Sequence, residues 1–473
     1  MKQFVHKIIL FFTIFSLLQA SCVSKTYAFT VGEEREVGEQ LLYQIRLAFP
    51  LIDDPDITQY INDLGASVLE VAGFQYFDYH FNIIESTQFN AFAAPSGLVF
   101  FYTGLIEQMH HEDELVSVLA HEIGHVVSRH IAKGMDKSMK VSVATSLLAL
   151  ASIALGAGAL SQALLTGSLA AGQAANLHFS RQAEEEADLL AYGWMKDMHR
   201  NPKGQEAMLR TMRRISRYSM GNNVPQYLLT HPDPAHRLDY VQSLEAYEED
   251  QLQDLEETDD FAFLRMQYRM LSLVKDGKQL RNLLLSKLSD KNIKKSEHVM
   301  LQYGLSQLDR IENNLSSSRK LLEKVVLYYP DRSILLVDQG IIEMQDGKKD
   351  KALALIRRAY ERNPQDHWAV FQLARVWLAL GNLKNAEKYF SELQKATPAY
   401  SKLYYELGKL KAQQDKAAES SYFLGKYYLY EGKLKFAKEN LGKAKRQAAS
   451  LTEEQKDDID RMIDLIVRLK KGS

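Results

Sequence analysis

The chain has 473 residues, 46% of them hydrophobic and 25% charged, which excludes a mainly disordered polypeptide. Lys and Arg total 58 against 60 Asp and Glu, so there is no basic excess to concentrate nucleic acid, and no nucleic-acid partner is expected. The single cysteine, Cys22, excludes an intramolecular disulfide framework and a thiolate cluster, leaving His and carboxylate as the side chains for any metal site.

Lys2 and Lys7 precede an apolar run from Ile8 to Ala20, followed by small and polar residues. This is the order of a secretory signal, and the run is short for a membrane span. Cleavage after Ala28, with small Thr26 and Ala28 at the inspected positions, predicts a signal over 1–28 and a soluble exported protein. Ala20-Ser21-Cys22 offers the alternative of lipidation at Cys22, although Gln19 stands where such a motif usually has leucine. Either exit predicts a periplasmic location.

A catalytic domain is expected over 29–245. Phe81–Ile84 reads as a strand, and Asn90–Tyr102 as a hairpin turning at Pro95-Ser96-Gly97. The stretch Leu115 to Lys133 is helical by pattern and contains His121-Glu122-Ile123-Gly124-His125. A four-residue spacing puts both imidazoles on one helical face, one turn apart, where they can share a metal. Glu122 then stands beside the metal-bound water as a candidate general base.

From Val141 to Leu177 no residue is Asp, Glu, Lys, Arg or His, and Gly156 and Gly158 divide the stretch into halves. Neither half reaches the ~20 residues of a span, so 141–177 predicts an apolar hairpin, either buried or in contact with a membrane surface. The next helix, Ala183 to Met198, follows Phe179-Ser180-Arg181. Glu184 and Asp188 share one face of it, so one can complete a metal site and the other can accept a hydrogen bond from a ligand imidazole. Glu185 and Glu186 read as solvated, and His110, His111, His130 and His178 as ordinary surface or core residues. The acidic stretch 246–262 predicts a solvated linker, so the catalytic unit should cleave casein without the residues beyond about Asp260.

Residues 263–473 change character. Pro330, Pro364 and Pro398 recur every 34 residues. Gly340, Gly347, Ala352, Ile356 and Ala359 have counterparts in Ala374, Gly381, Ala386, Phe390 and the residues after them. Gly425, Gly432, Ala437, Leu441 and Ala444 repeat the spacing after a register shift. Such units resemble tetratricopeptide repeats, which stack into an α-solenoid and usually present a concave surface to another protein.

His121 to His125, the uncharged stretch and the Phe-Ser-Arg-x-x-Glu-x-x-Ala-Asp segment together resemble the exported and membrane-associated gluzincin metallopeptidases. That family spans the prenyl-protein endopeptidases, a mitochondrial inner-membrane stress protease and periplasmic quality-control proteases. The resemblance implies a mainly α protein: an α+β metallopeptidase domain with a small sheet, then the repeat solenoid. It implies one Zn²⁺ per chain, with His121, His125 and Glu184 as ligands, Glu122 as catalytic base and Asp188 behind a ligand. It also implies that Asn90, Ala91, Phe92 and Ala93 form an edge strand pairing with an extended substrate. His231, in Thr230-His231-Pro232, resembles the family's downstream His-Pro segment; it would either plug the fourth zinc position or stabilise the oxyanion. Unfolded or stalled outer-membrane proteins are the substrates implied, with the β-barrel assembly machinery as a partner through the repeats and a chaperone role beside proteolysis.

Overall fold

The computed structural model describes residues 38, 41–43, 45–47, 49–130, 179–218, 224–253, 255, 257–398 and 400–471. The signal expected at 1–28 and the hairpin expected at 141–177 lie outside these residues. No helix among the described residues is long and apolar enough to cross a membrane.

Helix α1 (Pro55–Ala72) begins with Pro55, and Asp54 caps the N–H groups of Asp56 and Ile57. Strands β1 (His80–Ile84), β2 (Ala91–Ala94) and β3 (Leu98–Tyr102) form a sheet in the order β1-β3-β2. β3 is parallel to β1 and antiparallel to β2, so the expected hairpin is present, turning through Ser96 and Gly97, both at positive φ. Ala91, Ala93, Val99 and Phe101 face the main core, while Phe92, Phe100 and Tyr102 pack on Leu41 and Ile45. Burial on both faces explains the unbroken apolar run of β3.

After the short α2 (Thr103–Ile106) comes α3 (Glu112–Val127), buried almost throughout. It starts earlier than the expected Leu115 and ends before Lys133. Arg129 turns to a φ of 53°, and the N–H groups of Ser128 and Arg129 bond back to Gly124 and Val126. Helices α4 (Arg181–Asp197), α5 (Lys203–Tyr218), α6 (Gln226–Thr230), α7 (Pro234–Tyr247) and α8 (Glu249–Leu252) complete this region.

The repeats run as antiparallel helices: α9 (Phe261–Val274), α10 (Gly277–Leu288), α11 (Lys295–Ile311), α12 (Leu315–Tyr328), α13 (Ile334–Gln345), α14 (Lys349–Arg362), α15 (His367–Ala379), α16 (Leu383–Ala396), α17 (Ser401–Gln413), α18 (Ala417–Tyr430), α19 (Leu434–Arg446) and α20 (Glu453–Lys471). α12, α14 and α16 each stop two residues before Pro330, Pro364 and Pro398. The small residues serve close approach. A Cβ on Gly340 would lie 2.4 Å from Ile356, on Gly408 2.9 Å from Leu424, and on Gly425 2.6 Å from Leu441.

The acidic stretch is not a solvated linker throughout. Its last residues dock on the start of α3: Asp260 accepts from the Glu112 N–H at 2.8 Å and contacts His111 Nδ1 at 2.7 Å, and Thr258 donates to Asp113. Nor do the repeats stand apart. Phe261, Phe263, Leu264, Met266, Met270 and Leu271 belong to the same core as Ile57, Leu105, Ile106 and Leu115.

The first helices of successive pairs close around the N-terminus of α1. Arg269 donates to Asp54 at 2.8 Å, Arg265 to Asp56 at 2.8 Å, and Arg265 also pairs with Asp338 at 3.1 Å. The Arg269 guanidinium lies 4.1 Å from the Trp368 ring centroid. Further along, the N–H of Ser401 donates to Asp53, and Arg46 donates to the Tyr430 carbonyl. The inner face of the array is therefore filled by the chain's own catalytic domain.

This shared core argues against independent folding of the N-terminal unit. Each fully buried Leu, Phe or Met exposed by a cut after Asp260 costs ~1.5–3 kcal/mol, against a typical net stability of ~5–15 kcal/mol. Residues 29–260 expressed alone should show no cooperative thermal transition in calorimetry. A sharp melt together with full casein cleavage would refute the shared core.

Candidate metal centre

Two helices and one loop build the centre. α3 carries His121, Glu122 and His125; α4 carries Glu184 and Asp188; His231 closes α6. The helices can meet because Gly124 faces Ala187, where an added Cβ would lie 3.3 Å from the Ala187 Cα. The Phe-Ser-Arg segment has a local reason at each position. Phe179 stacks on His125 with centroids 3.8 Å apart, Ser180 caps the Ala183 N–H, and Arg181 pairs with Asp233 at 3.3 Å. The Phe179 N–H also donates to the Thr230 carbonyl, fastening the start of α4 to the residue before His231.

His121, His125, Glu184 and His231 are all buried and present their donor atoms to one point, mutually within 4.8 Å. His125 Nε2 lies 3.1 Å from His121 Nε2, and His121 Nε2 lies 3.3 Å from His231 Nδ1. Glu184 Oε1 lies 3.0 Å from His231 Nδ1 and 3.5 Å from His125 Nε2. Ligand bonds of ~2.0–2.1 Å in a tetrahedron give donor separations of about 3.4 Å, so the spacing fits a single small cation. Charge agrees with geometry. Glu122, Glu184 and Asp188 are buried with Arg237, three carboxylates against one guanidinium, a balance of −2 that a divalent ion cancels.

The surrounding groups are tightly placed. Asp188 Oδ1 is 2.9 Å from His121 Nδ1, and Asp188 also accepts from Gln205 of α5 at 3.2 Å. Arg237 bonds both Asp188 oxygens at 2.7 Å and approaches Glu184 Oε2 at 2.8 Å. Burial alone would raise the Asp188 pKa, but Arg237 and His121 outweigh it and bring it down to about 2. Burial works the same way on Glu184, and His231 and Arg237 hold its carboxyl well below the usual range. Burial and Arg237 both disfavour a proton on His121, yet Asp188 lifts it to about 9. Both Glu122 oxygens lack a hydrogen-bond partner among the described residues, and His231 Nε2 stands 3.5 Å from Oε1. An orphaned buried carboxylate beside converging donors is what a base facing a reactive water requires.

His121, Glu122, His125, Glu184 and His231 therefore converge, and Asp188 lies against His121. Asn90, Ala91, Phe92 and Ala93 lie on the sheet rather than among these side chains. Because the Tyr102 N–H donates to Asn90 O, the ladder makes Ala91 and Ala93 turn their backbone groups away from β3.

Other contacts escape a sequence reading. His130, expected as an ordinary residue, brings Nδ1 to 2.9 Å from His125 Nδ1, with Glu186 behind it at 3.3 Å from Nε2. Glu186 is thus not simply solvated. Tyr227 stacks on His231 with centroids 4.4 Å apart. His111 pairs with Asp260, which outweighs burial and raises its pKa. The only sequence signal for His130 is its place just beyond the metal helix.

Residues 55–245 match the model of Peptidase family M48, and 312–367 and 337–401 match that of the Tetratricopeptide repeat. The Beta-barrel assembly-enhancing protease of Escherichia coli (strain K12) is 29% identical over 333 residues, 70% of this chain and 67% of that one. The protein of that name from Yersinia pestis is 28% identical over 352 residues, 74% and 71% of the two chains. Mitochondrial metalloendopeptidase OMA1 of Schizosaccharomyces pombe is 31% identical over 181 residues, covering 38% of this chain and 51% of its own. The chain is a metalloendopeptidase with an M48 domain and tetratricopeptide repeats.

Asp188→Asn removes a carboxylate from His121 and leaves Arg237 under-compensated near the metal. Zn²⁺ affinity, measured by chelator competition, should fall roughly 10–100-fold. An unchanged dissociation constant would mean that Asp188 serves packing alone.

Proposed function

We propose that this metalloendopeptidase uses one zinc ion per chain to cleave unfolded or misassembled outer-membrane proteins in the periplasm, after export and processing behind Ala28. The observation that carries the reading is the convergence of His121, His125, Glu184 and His231 beside Glu122, whose oxygens have no hydrogen-bond partner among the described residues. The name of its Escherichia coli relative, which refers to β-barrel assembly, supports the substrate class. The lysines and apolar run before residue 29 support export.

Bound zinc supplies a Lewis acid that polarises the scissile carbonyl and acidifies a water. Glu122 takes the proton and later delivers it to the leaving amine. Asp188 keeps His121 in the tautomer that offers Nε2, and Arg237 holds Asp188 and Glu184 in register. Asn90 to Ala93 receive an extended chain as an added strand, using the outward backbone groups of Ala91 and Ala93. Recognition through backbone favours unfolded clients over folded ones. The inner face of the repeats is filled by α1, so clients or an assembly partner would meet their outer surfaces or the open end of the array.

His231 is the pivot. With Nδ1 3.0 Å from Glu184 Oε1, it would hold a bound cation as a fourth donor beside His121, His125 and Glu184. This favours a resting enzyme in which His231 plugs the site and must leave before cleavage. It also favours a second reading, an assembly factor or chaperone whose metal site stays latent, and the two can be states of one molecule.

Degradation of unfolded β-casein by the zinc-loaded protein tests this, with His231→Ala and Glu122→Gln alongside. A plug predicts faster cleavage by His231→Ala, roughly tenfold if about a tenth of the wild type is open, and a loss of ~10²–10⁴ in Glu122→Gln. Fast wild type with a slow His231→Ala assigns the histidine to the oxyanion instead. No cleavage by any of the three with zinc retained gives the lead to the assembly-factor reading.

A further inference from the structure

Helix α5 has one face that the metal centre does not use. Gly204, Gln205, Met208, Leu209 and Met212 are buried on its inner side. Gln205 donates to Asp188, and Gly204 approaches so closely that an added Cβ would lie 2.5 Å from Asp113. On the opposite side, Arg210, Arg213, Arg214 and Arg217 recur at the spacing that keeps side chains on one helical stripe, with Tyr218 next to them. Arg210 pairs with Glu206 at 2.5 Å. Among the described residues, no ion pair is formed by Arg213, Arg214 or Arg217. With Arg210 and Tyr218 they bound an open cleft of about 330 Å³. Burial first, then Lys287 and His111, and last Arg214 depress the pKa of nearby His110, with Glu297 opposing.

A simple structural account covers part of this. Cations in the last turn complement the helix dipole, which suits Arg217. The dipole's influence ends within that turn and leaves Arg210 and Arg213 unexplained. A near-neutral chain has placed four guanidiniums on one rigid stripe, three of them without a carboxylate partner among the described residues.

We propose that this stripe docks the protein on an anionic phospholipid surface, the arginines binding headgroup phosphates and Tyr218 resting at the interface. Guanidinium forks match phosphate oxygens and hold them in pairs. From Arg210 to Arg217 the stripe runs about 10 Å along the axis, which suits neighbouring headgroups better than one free phosphate. Tyr218 is 84% exposed at the end of the stripe, and a tyrosine ring favours the boundary between headgroup and acyl chain. The inner face of α5 is clamped to Asp188 through Gln205, so docking would hold the catalytic cleft at a fixed height above the lipid.

The test is co-sedimentation of the processed protein with vesicles of equal parts phosphatidylglycerol and phosphatidylcholine, or of phosphatidylcholine alone. Every form carries Cys22→Ser, so that no lipid anchor contributes. Binding should require phosphatidylglycerol. The triple change Arg213→Gln, Arg214→Gln and Arg217→Gln should weaken it roughly 100-fold, from about a kilocalorie per basic residue. A control removing equal charge at exposed Lys435, Lys438 and Lys443 should bind as wild type does, and unchanged thermal melting of both triples shows that they fold. Equal binding to phosphatidylcholine alone, or equal loss in both triples, would overturn the proposal. So would displacement by millimolar inorganic phosphate, which marks a site for the free anion, or binding of polyglutamate without any vesicle binding, which marks a site for an acidic protein segment.

Discussion

A dication is the counter-charge around which this fold is arranged. Burying Glu122, Glu184 and Asp188 together is tolerable only with matching positive charge, and Arg237 supplies one unit of the three. Without a metal the cluster draws a proton, which is why His121 is lifted to about 9 although burial and Arg237 oppose it. Metal binding and proton release at this imidazole would therefore be linked, since a bound cation would need the lone pair that the proton occupies. Arg237 works in both directions. It repels a cation through its charge, yet it fixes Glu184 and Asp188 in the orientation that binds one.

That arrangement needs two helices at close range and a loop held against them. Gly124 and Ala187 set the approach of α3 and α4; a larger side chain at either would move Glu184 away from the histidines. The N–H of Phe179, its ring on His125 and the Arg181–Asp233 pair bring the His231 segment to the same point. From the other side, Gln205 ties Asp188 to α5, and the 258–260 segment fixes the start of α3. The repeats enter this chain of support because α9 shares the core with α1, α2 and α3. Geometry at the metal is thus underwritten by residues as remote as Arg265 and Trp368.

Local periodicity made much of this legible. The His-Glu-x-x-His spacing is a property of one helical turn, and so is the pairing of Glu184 with Asp188. Repeats announced themselves because each proline and each small residue answers a contact recurring every unit, as Gly340 on Ile356 and Gly425 on Leu441 show. Contacts between distant segments leave no such trace. Asp54 and Arg269 are separated by more than two hundred residues, and nothing near either one names the other. An acidic stretch reads as solvated for the same reason: Asp260 looks like its neighbours until the Glu112 N–H is placed against it. His130 gives no periodic signal in the sequence because an i+5 spacing falls off the face that His125 uses, and the break at Arg129 turns its ring back toward the metal helix.

The filled inner face changes what the repeats can do. An array of this kind normally selects partners in its concavity, but here Asp54 and Asp56 already bind α9 and Asp53 binds α17, while Arg265 of α9 also pairs with Asp338 of α13. Displacing them would leave Arg269 buried without counter-charge, a penalty of several kcal/mol, and Arg265 with Asp338 alone. Opening the array as a clamp is therefore costly, whereas moving one loop carrying His231 is cheap by comparison. On the proposed reading, regulation belongs to that loop and client choice to surfaces outside the core, with the repeats acting as a fixed wall.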